Sequence, residues 1–211
     1  MNKDTQKNID DLLIGKLTIK LDITDDKNNK IGELHPLTHL KLQDPEVIQK
    51  ITEWRNQNMQ SFLTQFIATT ERTYSWITNV LFKTPGQLLF LVYVENILVG
   101  HIGFKNLNHK NVMLDNAIRG ERIGHPQLFT RAGIVLTNWI FDETTVEYIY
   151  GLIEAKNYAA VYMNKQIGFG GWIRHPMTKK TEGIETSWII GEQGALSPEN
   201  KYVFRVILPR K

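Results

Sequence analysis

From residue 34 onward the apolar residues recur with readable periods. Leu34 to Leu42 reads as a short strand interrupted by Pro36. Asp44-Pro45 then opens a helix, with the carboxylate as cap and proline in the first turn, where its missing N–H costs nothing. Val47, Ile48, Ile51, Trp54 and Phe62 give that helix one apolar face. A second helix starts near Thr70, carries Tyr74, Ile77 and Leu81 inward, and ends before Pro85-Gly86.

Strand-like runs follow. Gln87 to Glu95 is nearly all apolar, the pattern of a strand covered on both faces. Asn96 turns the chain into a hairpin partner, Ile97 to Phe104. Val112 to Ile118 is a third strand, and a helix beginning at Pro126 carries Phe129, Ala132, Gly133, Leu136 and Ile140 on its inner stripe. Tyr148 to Glu154 is a strand and Asn157 to Gln166 a helix stopped by Gly168. Strands around Trp172-Ile173, Trp188 to Ile190 and Tyr202 to Leu208 complete the chain. This order predicts an α/β protein with a mainly antiparallel sheet and a strand–helix–strand–helix unit in its second half. Residues 1–33 differ. They are rich in Asn, Asp and Lys, and the alternation Leu17 to Leu21, broken at Asp25 to Asn29, predicts a strand or hairpin in an N-terminal extension to a body at 34–211.

Composition narrows the picture. With 211 residues, 42% apolar and 22% charged, the chain can bury a core without disulfides or a structural metal. The absence of cysteine excludes a thiol nucleophile and suits a reducing cytoplasm. The longest apolar run, Leu88 to Val94, is far below the roughly 20 residues that span a bilayer, so neither a membrane nor a signal segment is expected. A net charge of +3, with acids scattered among the bases, does not point to nucleic acid.

Two segments carry candidate chemistry. The turn Ile118-Arg119-Gly120-Glu121-Arg122-Ile123-Gly124-His125-Pro126 joins a strand to a helix. Helix N-termini expose unpaired N–H groups, glycines allow close backbone approach, and Arg119 and Arg122 add charged donors, so the segment reads as a phosphate site or as an ordinary polar turn. The second, Asn157-Tyr158-Ala159-Ala160 through Gly168-Phe169, is a capped helix with a glycine stop, which by itself is only structure.

Taken as an ordered pair, the segments resemble the GNAT family of N-acetyltransferases. Their phosphate loop reads Gln/Arg-x-x-Gly-x-Gly/Ala, and their later helix reads Asn-x-x-Ser/Ala followed by Gly-Phe. The matching residues here are Arg119 to Gly124, Asn157 to Ala160 and Gly168-Phe169, over about residues 34–175. Trp54-Arg55-Asn56 and Thr70 to Trp76 look like the branch that modifies ribosomal-protein N-termini and nucleotide-linked amino sugars. The resemblance implies a mixed, mostly antiparallel central sheet, with splayed central parallel strands, flanked by about four helices. It implies acetyl-CoA, or another acyl-CoA, as co-substrate. The pyrophosphate would rest on the N–H groups of Arg122, Ile123 and Gly124, with Arg119 and Gly120 beside it. The pantetheine would pair with Leu114 to Ile118, and Asn157 would bond that arm. The oxyanion would meet a backbone N–H near Asn116 or Ala117. Two departures stand out: Arg122 replaces the middle glycine of the loop, and Asn164 occupies the position where many members carry a tyrosine acid. Asn164 can bond a sulfur but cannot protonate it.

Transfer to an amine needs a proton acceptor. Asp115 is the first candidate, followed by Glu154 and His101; each has an alternative as a structural group. His35 and His39 share a four-residue spacing, but Pro36 breaks the helix that would aim them and no third ligand is near, so no metal is expected. Trp172, Trp188, Tyr74 and Trp76 serve either an acceptor groove or packing. The preferred acceptor is a small-molecule amine, an amino sugar or nucleotide-linked amino sugar. A protein N-terminal amine is the alternative within the enzyme class, and a non-catalytic acyl-CoA-binding module the alternative outside it. The N-terminal extension and last strands are candidate edges for a homodimer.

Overall fold

The computed structural model describes residues 3–211. Helix α1 (Lys3–Leu13) leads into the hairpin of β1 (Leu21–Thr24) and β2 (Lys30–Pro36). Next come α2 (Pro45–Gln57), β3 (Thr64–Gln65) and α3 (Thr70–Trp76), which continues as a π turn over Ile77–Leu81. Strands β4 (Leu88–Val94), β5 (Ile97–Lys105) and β6 (Asn111–Arg119) precede α4 (Leu128–Glu143), β7 (Tyr148–Glu154) and α5 (Tyr158–Ile167). The chain ends with β8 (Gly170–Glu182), β9 (Glu185–Ile190) and β10 (Tyr202–Pro209).

The strands lie in the order β1-β2-β4-β5-β6-β7-β10-β8-β9-β3. All neighbours are antiparallel except the central pair β6–β7. Five α-helices flank this sheet among the described residues, so the α/β reading with a mostly antiparallel sheet holds. None of these helices is long and apolar enough to cross a membrane.

Local chemistry explains most boundaries. Asp44 caps α2, its Oδ1 accepting from the Glu46 N–H at 2.9 Å, with Pro45 at the first position. The β4–β5 turn places Glu95 and Asn96 at φ 50° and 67°, the double left-handed turn that matches strand twist. Asn157 caps α5 by accepting from the Ala160 N–H at 3.1 Å. At the other end Gly168 takes φ 109°, and the N–H groups of Gly168 and Phe169 return to the Lys165 and Asn164 carbonyls.

Several expectations shift. Helix α2 ends at Gln57, so Phe62 lies in the following loop and not on its apolar face. Tyr74 is 49% exposed, whereas Ile77 and Leu81 are buried as expected. Helix α4 begins at Leu128, because the chain around Pro126 is held in a turn by Arg119. The N-terminal strand begins at Leu21, since residues 14–17 close the end of α1 onto the Asp10, Asp11 and Leu12 carbonyls. Polar residues 1–33 also hold a helix that the alternation did not predict. Ile9, Leu12 and Leu13 of α1 join the core that α4 and α5 form on one sheet face.

The other face carries α2 and α3. Leu37, Ile51, Trp54, Ile77, Leu89 and Leu91 pack there. Trp54 is 1% exposed, and its indole lies so close to Gly120 that an added Cβ would stand 1.9 Å from a ring carbon. Its Nε1 donates to Glu121 Oε1 at 3.3 Å. Gly120 is thus a packing glycine. Gly120→Ala is expected to cost about 1–3 kcal/mol through overpacking, and the cost should largely vanish in a Trp54→Ala background. Urea unfolding of the four proteins measures this; equal penalties in both backgrounds would contradict the contact.

Candidate active site

The β6–β7 ladder is short. Asn111, Val112 and Met113 face Tyr148, Ile149 and Tyr150, and no strand pairs with that edge of β6 beyond Met113. β7 instead stays registered with β10 along its whole length, while β6 stays with β5. The parted strands open a cleft of ≈ 740 Å³ lined by Met113 to Ile118 on one side and Gly151 to Glu154 on the other.

A bulge shapes the β6 wall. His101 pairs with Ile118 and Gly103 with Asp115, so Asn116 and Ala117 together oppose Ile102. Asn116 takes φ 53°. The bulge is fastened from below by His101, whose Nδ1 donates to the Asn116 carbonyl at 2.7 Å. His101 is 3% exposed and its Nε2 is buried with no partner. Burial pushes its pKa down to about 4, against the Asn116 bond and the Asp115 charge, so the ring is neutral near pH 7.

Asp115 lines the same cleft. Its Oδ2 takes both the Lys105 ammonium at 2.8 Å and the Asn116 amide at 3.0 Å, leaving Oδ1 without a protein partner. Glu154 reaches the cleft from the end of β7, and its Oε2 accepts from the Lys156 N–H at 3.0 Å. Asn157 and Asn164 of the α5 segment also line it. The Asn157 Oδ1 is committed to the helix cap, while its amide nitrogen has no protein partner. Asn164 is buried, with Nδ2 donating to the Ala160 carbonyl at 2.9 Å. Tyr162 is 60% exposed and not part of the lining, so it does not substitute for the missing acid.

The turn after β6 has a division of labour that the motif did not reveal. The Gly120 and Glu121 N–H groups both donate to the Val99 carbonyl at 2.9 Å. The Arg119 guanidinium is turned into the loop, donating to the carbonyls of Glu121, Ile123 and Pro126 at 3.2, 3.0 and 2.9 Å. Arg119 thus ties the loop together through three of its five N–H groups. The N–H groups of Arg122, Ile123 and Gly124 donate to no acceptor among the described residues. Gly124 has φ 81°, and a Cβ there would meet Val94 at 2.9 Å. Arg122 is exposed and makes no side-chain bond among the described residues. Free amides and an exposed guanidinium just ahead of α4 can together serve as an anion cradle.

Another wall of the cleft brings in Trp76, one of the aromatic groove candidates, with side chains whose place the sequence did not indicate. Arg55, Phe62 and Phe66 line it with Arg72 and Trp76. Trp54-Arg55-Asn56 was visible as a motif, but the role of each residue was not. Trp54 holds the turn after β6, Arg55 donates to the Thr64 carbonyl at 3.0 Å, and Asn56 exchanges two bonds with the Ala68 backbone at 2.8 and 2.9 Å. Of the other aromatic candidates, Trp172 packs edge-on against Phe204 and Trp188 lies under Lys201. His35 bonds Glu33 at 2.5 Å and His39 stacks on Phe82 at 4.4 Å; no cluster of metal-ligating side chains occurs among the described residues.

Neither a family sequence model nor a curated protein matches the chain. Its structure is nevertheless similar to many solved ones. An acetyltransferase from Salmonella typhimurium, which modifies the N-terminal serine of a 50S ribosomal subunit protein, superposes with a TM-score of 0.64 at 10% identity, over 92% of this chain and 100% of that one. A GNAT-family acetyltransferase from Bacillus anthracis gives 0.61 at 17% identity, over 92% and 98%. The microcin C7 self-immunity acetyltransferase, in complex with acetyl-CoA and AMP, gives 0.56 at 13% identity, over 86% and 94%. The parted β6–β7 pair, the bulged β6 and the flanking helices thus belong to a chain with the GNAT acetyltransferase fold.

Proposed function

We propose that the protein is an N-acyltransferase that moves an acetyl or similar group from acyl-CoA to a primary amine by direct transfer. The observation that carries this reading is the edge of β6, unpaired beyond Met113 among the described residues, which lines the cleft and leads into the turn where the amides of Arg122 to Gly124 are free. An extended chain bearing amides at one end and a pyrophosphate at the other would satisfy both. Acyl-CoA has that form and supplies a thioester carbonyl open to attack.

The residues then take roles by position. The edge of β6 holds the pantetheine arm, the Asn157 amide bonds it, and the N–H groups of the bulge at Asn116 and Ala117 stabilise charge on the carbonyl oxygen. Asp115 Oδ1 takes the proton that the amine loses, while Lys105 holds the carboxylate in place through Oδ2. His101 is a positioning residue that holds the bulge. Glu154 is the second candidate acceptor of the proton. Asn164 can bond the departing sulfur, and water supplies its proton. For the acceptor, a nucleotide-linked amino sugar is preferred, a reading favoured by the AMP bound in the similarly folded microcin-immunity enzyme. A protein N-terminal amine is the second reading, favoured by the activity of the Salmonella protein.

Thiol release from acetyl-CoA, measured with amino-sugar nucleotides and N-terminal peptides, separates the two acceptors. Tight acyl-CoA binding without turnover on any amine would mark a non-catalytic module, and absence of any acyl-CoA binding would sink the proposal. Arg122→Glu leaves every protein contact intact and should weaken coenzyme A binding about tenfold or more by calorimetry. Asp115→Asn should lower kcat by roughly 10²–10⁴ while coenzyme A affinity is retained; unchanged kcat moves the role to Glu154.

The His101 environment also predicts a pH effect on stability. Unfolded histidine titrates near 6.5 and the folded ring at about 4. The unfolded state alone gains a proton between these values, so stability falls as pH drops through that window, by about 3 kcal/mol in all. His101→Gln should remove this slope in urea unfolding between pH 7 and 4.5; an identical slope in both proteins would refute the assignment.

A further inference from the structure

The far end of the cleft holds more positive charge than the protein around it balances. Arg55 comes from α2 and Arg72 from α3, and their guanidinium carbons lie 4.0 and 3.5 Å from the centre of the Phe66 ring. Phe62 lies 4.7 Å from Arg55 on the loop between these helices. Arg72 is paired with Glu185 of β9, which arrives because β9 pairs with β3 in that same loop. Glu185 thus pairs with Arg72 alone, and Arg55 has no carboxylate partner among the described residues. Arg55 uses Nη2 on the Thr64 carbonyl, but its Nη1 is buried and donates to nothing among the described residues.

An unpartnered charged donor out of water is costly, and native structures supply such groups with an acceptor. Here no protein acceptor is in reach. Burial and the Arg72 charge both work against the charged form of Arg55, and only Glu185 favours it. Phe62 and Phe66 stiffen the pair by cation–π contact, which fixes direction without neutralising charge. Arg55 and Arg72 both line the cleft, so an anion bound there would face the pair.

We infer that the Arg55–Arg72 pair is a receptor for a phosphate or diphosphate carried by the acceptor, held at the opposite end of the cleft from the coenzyme A cradle. The inference rests on the acyl-transfer reading above and sharpens it. The acceptor is an amine whose negative charge lies remote from the reacting nitrogen, as in a nucleotide-linked amino sugar. Guanidinium groups suit such a ligand because they present several donors in a plane to phosphate oxygens. Remote charge recognised in this way fixes where the amine lies relative to the carbonyl.

The test uses the full chain saturated with coenzyme A, so that the cradle at Arg122 to Gly124 is already filled, and inorganic pyrophosphate as the probe. Calorimetry should detect binding that weakens with salt. Arg55→Met should weaken it about tenfold or more. Glu185→Gln frees Arg72 and should tighten it, an effect that misfolding cannot produce. In kinetics, Arg55→Met should raise KM for an amino sugar carrying a nucleoside diphosphate by a larger factor than for the bare amino sugar. Absence of pyrophosphate binding, or equal binding by wild type and Arg55→Met, would overturn the inference. So would weakening in Arg55→Met without tightening in Glu185→Gln, since damage to the Thr64 loop alone accounts for that pair. Failure to bind coenzyme A at all would instead defeat the acyl-transfer reading, so the two failures are distinguishable.

Discussion

The structure is organised around the point after Met113 where β6 and β7 cease to pair. A sheet normally satisfies its backbone by lateral hydrogen bonds, and an interrupted pair leaves polar groups that need another partner. Here each strand is held by its outer neighbour. β7 follows β10 residue for residue, β6 follows β5 through a bulge, and the two halves of the sheet diverge between them. The parting creates the cleft, presents the unpaired edge, and delivers the turn after β6 to the N-terminus of α4. Without it the Arg119 to Gly124 segment would be an ordinary polar connection.

Helix α2 converts that opening into a site with two ends. Three consecutive residues grip three separate segments. Trp54 lies against Gly120, Arg55 holds Thr64, and Asn56 clamps Ala68 just ahead of α3. The turn after β6 and the loop between α2 and α3 are therefore tied through one turn of helix. The glycines divide between these tasks. Gly120 makes room for an indole, whereas Gly124 supplies a left-handed bend where the loop crosses Val94.

Charge is distributed locally. The net charge of +3 conceals a guanidinium folded inward at Arg119, an exposed one at Arg122, a lysine paired with Asp115 and an Arg72 paired with Glu185. In a cleft partly shielded from water, such pairings decide which groups remain available to a ligand. Arg119 and Arg122, three residues apart in one motif, differ in that Arg119 bonds three loop carbonyls and Arg122 makes no side-chain bond among the described residues.

Much was legible in the chain itself. Hydrophobic periodicity, proline and asparagine caps and the Gly168 stop located α2, α5 and the run from β4 to β7, since these depend on neighbours a few residues away. The Arg119 to Gly124 turn and the Asn157 helix were likewise visible as spaced residue types. Helix α1 was missed because its polar surface hides a stripe that needs the α4 side of the sheet to become a core. Phe62 was placed on a helix because its spacing fits one, although the loop carrying it is pinned by Arg55. The bulge at Asn116, the inward turn of Arg119, the orphaned Nε2 of His101 and the meeting of Arg55, Arg72 and Glu185 are contacts between segments far apart in the chain. Periodicity and caps record local preference, and only packing across the sheet decides which side chains find a partner and which are left open for a ligand.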